Sequence, residues 1–163
     1  ALQPDIIATF EQIASIEGIF TGGSYLSHPF PAQASLRYNL AMLTRDEFED
    51  LVADALETLP PEILNRMDNV AVTVQDWPSH DQLSSSRVPR GSTLFGLYQG
   101  VPLTQRSSYY GMVAPDRITI FRGPLTSYYQ TPEAIKEQVR RTVVHEIAHH
   151  FGMGEEQIAR LGY

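Results

Sequence analysis

The chain has no cysteine among its 163 residues. That absence removes disulfides, thiolate metal ligands and thiol nucleophiles together, so a bound metal must be held by His, Asp or Glu. Such a donor set suits a catalytic site better than a zinc finger. Basic charge is also scarce: 12 Lys and Arg stand against 19 Asp and Glu, a formal charge of -7. This gives no electrostatic footing for nonspecific binding to nucleic acid or an anionic membrane, and neither is expected as a partner. No apolar run approaches the roughly 18 to 20 residues of a membrane span, and Ala1 to Asp5 lacks the basic-then-apolar pattern of a signal peptide. A cytoplasmic location is therefore expected. The 42% of apolar residues is enough for a real core in one globular unit.

Asp5 is placed to cap a first helix, with Ile6, Ile7, Phe10, Ile13, Ala14 and Ile16 at helical spacing up to Gly18. From Phe20 to Leu40 the Gly22-Gly23 pair, Pro29 and Pro31 predict an irregular connector that carries His28. Residues 1–43 thus read as an N-terminal extension, with a self-inhibitory flap as one role for it. Thr44 opens a second helix whose apolar stripe is Phe48, Leu51, Val52, Ala55, Leu56 and Leu59, and Pro60-Pro61 stops it. Its acidic residues read as a solvated face. Strands are predicted at Val70–Val74, Leu94–Tyr98 and Arg117–Phe121, with a long loop between the first two.

The last long helix is the best signposted. Thr131 suits the N-cap, Pro132 the first helical position and Glu133 the first turn, and Ile135, Val139, Val143, Ile147 and Phe151 continue the apolar period to Gly152. On it lies His145-Glu146-Ile147-Ala148-His149. Histidines four residues apart differ by about 40° around a helix, so both imidazoles reach one ion from one side. Both fall off the apolar arc and are expected to face away from the core. Glu146 lies to one side, near enough to accept a proton from water activated by the metal without becoming a ligand.

Gly152 is expected to end or bend the helix through a left-handed conformation, which lets Glu155 fold back as third ligand. Glu156 is the alternative, since one residue of slack in the turn exchanges the two. The spacing His145-Glu146-x-x-His149-x-x-Gly152-x-x-Glu155 is that of the metzincin signature with a carboxylate in place of the third histidine. Carboxylate oxygens are ordinary zinc ligands, and three protein ligands leave the fourth position open. His150 falls inside the apolar arc and reads as a core histidine or one that supports the site; His28 and His80 read as surface residues.

At Arg117-Ile118-Thr119-Ile120-Phe121-Arg122 and from Thr142 to Gly152 the sequence resembles the small bacterial zincin-like metallopeptidases, or minimal zincins. The likeness extends over roughly residues 44–163 and includes Gly96 to Thr104 and the closing Leu161-Gly162-Tyr163. It implies an α+β fold, a small sheet of about three strands on an active-site helix, here with an additional N-terminal helix. It also implies Zn2+ bound by the two histidines and an acidic third residue. That family usually carries Asp where this chain has Glu155, and the metzincin Met-turn is missing.

The expected activity is hydrolysis of peptide bonds in a peptide or protein substrate, with His145, His149 and Glu155 holding zinc and Glu146 as general base. A peptidase also needs a strand edge to align its substrate and a donor for the oxyanion. Arg117–Phe121 is the expected edge, and Tyr110, Tyr128, Tyr129 and Tyr163 are the candidate donors. Two other readings remain: a metallo-hydrolase of another substrate such as RNA, against which the acidic charge counts, and a zinc-stabilised binding module.

Overall fold

A computed structural model describes residue 10 and residues 43–67, 69–86, 92–102 and 115–161. The remainder of the predicted first helix, the connector with His28, and Tyr110 and Tyr163 lie outside the described residues.

Helix α1 (Arg45–Glu57) begins where Thr44 sets a capping box, its side chain accepting the Glu47 N–H while the Glu47 carboxylate accepts the Thr44 N–H. Thr58, Leu59 and Pro60 separate it from the single turn α2 (Pro61–Leu64). Strand β1 (Val70–Gln75) leads to α3 (His80–Ser85), then β2 (Gly96–Gln99), β3 (Asp116–Phe121), α4 (Arg122–Tyr128), the long α5 (Pro132–His150) and α6 (Glu155–Arg160). The α+β class is as expected. Helix α3 lies within the expected long loop; Ser79 and Gln82 form a second capping box there and stabilise one turn and a half of helix. His80 is exposed at its start, as expected of a surface residue.

The three strands form one sheet in the order β1-β3-β2, with β1 parallel and β2 antiparallel to β3. This corrects the expectation that Arg117–Phe121 is an edge. Its residues are buried at every position except Arg117, because neighbours flank it on both sides and helices cover it. The unbroken run Ile118-Thr119-Ile120-Phe121 is the signature of a central strand. The edge beside α5 belongs to β2.

The core lies between sheet and helices. Phe48, Val52 and Ala55 of α1 pack with Ile135, Val139, Val143 and Ile147 of α5 and with Ile118 and Ile120 of β3. Phe10 is wholly buried in the same cluster, its ring edge-on to Phe151 with centroids 6.3 Å apart. Among the described residues, no helix is long and apolar enough to cross a membrane.

Candidate metal centre

Helix α5 starts as its sequence dictates: the Thr131 hydroxyl accepts the Ala134 N–H and Pro132 occupies the first position. Its end matters more to the site. Gly152 has φ 81°, a left-handed conformation that costs a residue with a Cβ roughly 1–2 kcal/mol. The Gly152 N–H donates to the His149 carbonyl at 2.8 Å and the Met153 N–H to the Ala148 carbonyl at 3.0 Å. These are the two bonds of a Schellman motif, and the apolar contact that accompanies it is supplied by buried Met153 and Ala148. The reversed chain brings Glu155, the first residue of α6, back over the last turns of α5. Gly152→Ala should therefore lower stability by about 1–2 kcal/mol in urea denaturation, and it should weaken metal binding as Glu155 shifts.

The reversal assembles three ligand atoms. His149 Nε2 lies 3.2 Å from His145 Nε2 and 3.0 Å from Glu155 Oε1, and His145 Nε2 lies 3.7 Å from Glu155 Oε2. Donors on a tetrahedral zinc at about 2.0 to 2.1 Å stand roughly 3.3 Å apart, so the spacing fits the ion. Among the described residues this is the group of three His, Asp or Glu side chains able to hold a metal. His149 Nδ1 sits 3.1 Å from the Met153 carbonyl, an acceptor that places the proton on Nδ1 and leaves Nε2 as the ligand. The Schellman turn thus also orients a histidine. Glu156 points elsewhere, is exposed and pairs with Arg160 at 3.8 Å.

The expectation that both histidines face away from the core needs correction. They lie off the apolar stripe of α5, but His145 is only 2% exposed. A helical wheel knows one helix, and here β2 lies against that face. Gly96 permits the approach: a Cβ there would overlap the Thr142 methyl and come within 3.5 Å of Glu146 Cγ. The resulting cleft, about 350 Å³, is lined on one wall by Leu94, Phe95, Gly96 and Leu97 and on the other by His145, Glu146 and His149.

Glu146 faces β2. Its Oε2 accepts the backbone N–H of Tyr98 at 2.7 Å. Burial pushes its pKa above the ordinary carboxylate range; positive charge on His145 and His149 and the Tyr98 N–H oppose the rise, and the Glu155 charge adds to it. The structure brings His145, His149 and Glu155 together with Glu146 beside them; the Tyr98 contact was not foreseen, since a backbone donor from a distant strand leaves no local signature. Asp116 is the buried first residue of β3. His150 is buried, as its position on the helix implies, and meets Tyr98 and Asp116. Of the candidate oxyanion donors, Tyr128 and Tyr129 turn their rings to Phe95, with centroids 5.5 and 5.8 Å away, and the Tyr129 hydroxyl donates to Gln138 at 2.6 Å. Both are packing residues.

No curated protein matches the sequence. The family model of the zincin-like metallopeptidases matches residues 67–163, a stretch that holds the sheet, α5, the turn at Gly152 and all three clustered donors. That match spans more than half of the chain, which therefore belongs to the zincin-like metallopeptidase family.

Proposed function

We propose that the protein hydrolyses peptide bonds with a zinc ion held by His145, His149 and Glu155, and that Glu146 is its general base and then its general acid. The observation that carries this reading is the placement of Glu146: buried, tied by one oxygen to the Tyr98 N–H, and beside the three-donor cluster without belonging to it. When bound, zinc supplies a Lewis acid that acidifies water and polarises a carbonyl.

The chain's own residues do the rest. With Oε2 held by Tyr98, the Glu146 carboxylate has a fixed orientation and presents Oε1 to the proton it takes. The proton it takes can then be delivered to the leaving amine. The apolar wall of Leu94, Phe95 and Leu97 excludes water from one side of the cleft. On the outer edge of β2 the Tyr98 N–H is taken by Glu146, and the outward backbone groups of Gly96 remain for an extended peptide to align against.

Metal analysis of the purified protein should give about one zinc per chain, and a broad peptide-library digest should show cleavage that stops on chelation and resumes when zinc is restored. A fully metallated protein that cleaves no peptide would favour a zinc-stabilised binding module. Cleavage of RNA but not of casein would move the assignment to another class of hydrolase.

A further inference from the structure

Tyr98 is fastened twice. Its backbone N–H donates to Glu146, while its hydroxyl lies 3.0 Å from Asp116 Oδ2 and 2.9 Å from His150 Nδ1. His150 Nδ1 is itself 3.0 Å from Asp116 Oδ2, so the three polar atoms close a triangle. Asp116 and His150 are almost wholly buried. One proton arrangement satisfies the first two contacts together: the Tyr98 hydroxyl donates to the Asp116 carboxylate and accepts the Nδ1–H of His150.

The three residues come from three elements: β2, the start of β3 and the last turn of α5. Strand β2 is four residues long and among the described residues pairs with β3 alone, and an edge strand so short has few ladder bonds to hold its position. The triangle supplies an anchor. Glu146 and His150 are one helical turn apart on α5, so Tyr98 spans them, its N–H on the first and its hydroxyl on the second.

We propose that Tyr98, Asp116 and His150 are positioning residues for the reaction: the triangle locks β2 against α5 so that the Tyr98 N–H holds the Glu146 carboxylate in register with the bound metal. The proposal rests on Glu146 being the proton acceptor. The three residues act through that carboxylate. A displacement of the base by about 1 Å is enough to cost on the order of 100-fold in rate.

A buried triangle could serve stability alone, and the test must separate the two roles. Tyr98→Phe keeps the ring and the backbone N–H and removes only the hydroxyl. With full zinc content it should lower kcat by about 10- to 100-fold and leave KM near the wild-type value. His150→Asn, whose amide nitrogen takes the place of Nδ1, should keep most of the rate that His150→Leu loses. In a Glu146→Gln background, Tyr98→Phe should bring no further loss, because the group it positions no longer takes a proton.

Wild-type kcat in Tyr98→Phe, or the same fold-loss with and without Glu146, would overturn the proposal. Should Tyr98→Phe not fold, the His150 pair decides, and equal kcat in the Asn and Leu variants would overturn it. A wild-type rate in Glu146→Gln alone would instead remove the reading of Glu146 on which the proposal rests.

Discussion

Glu146→Gln should slow peptide hydrolysis by roughly 10²- to 10⁴-fold while the purified variant keeps its zinc. The amide has the shape of the carboxylate, and its oxygen can still accept the Tyr98 N–H, so the cleft should be unchanged. What is lost is the ability to take a proton. Zinc should stay because the clustered donors are His145, His149 and Glu155, none of which is altered. Steady-state kinetics with metal analysis of the same sample is the check, and loss of activity together with zinc would point to a ligand role for Glu146.

The same substitution carries an opposite expectation for the stability of the metal-free protein. Burial raises the folded-state pKa of Glu146, so over a range of pH the native state holds a proton that the unfolded chain has released. The native state is favoured most below the unfolded value of about 4.3, and that advantage is lost as pH rises through the folded value. Gln has no charge to bury. Metal-free Glu146→Gln should therefore resist urea better than the metal-free parent near about pH 7, and the gap should narrow toward about pH 4. Activity and stability move in opposite directions, as expected of a group held in an unfavourable environment for its chemistry.

Glu155→Ala should weaken zinc binding by more than about 100-fold, beyond what loss of a group that merely orients a ligand costs. Both Glu155 oxygens face the histidines, at 3.0 Å from His149 Nε2 and 3.7 Å from His145 Nε2. Removing them leaves two imidazoles, one fewer protein ligand than catalytic zinc sites ordinarily use. Glu156→Ala removes an exposed carboxylate paired with Arg160 on its own helix and should leave affinity unchanged. Competition against a zinc chelator measures both. The reverse outcome, with Glu156 essential and Glu155 dispensable, would mean that the turn after Gly152 rearranges when metal binds.

That choice between adjacent glutamates marks how far local information reaches. Thr131, Pro132 and Gly152 bound α5 by side-chain and backbone chemistry within a few residues, so the helix and its end were legible, as was α1 from Thr44 to Pro60. The four-residue spacing of His145 and His149 is a property of any α-helix, and their convergence followed at once. Helix α3 lies where a long loop was expected, although Ser79 and Gln82 carry the capping-box spacing, because six residues show too little apolar periodicity to mark a helix. Strand β3 was expected at the sheet edge, yet it is buried at every position but Arg117, because sheet order depends on pairing between strands far apart in the chain.

By itself, then, the sequence determined the helix that carries the cluster, the two histidines and Glu146 on it, and the glycine that turns the chain behind them. All of these depend on contacts between residues close along the chain. Only the tertiary structure decided that Glu155 rather than Glu156 meets the histidines, that β2 rather than β3 walls the cleft, and that Tyr98 bridges Glu146 to a buried Asp116 and His150. Those outcomes depend on where separate elements come to rest against one another: strand order is settled by burial on both faces of β3, and the approach of β2 by the missing side chain at Gly96.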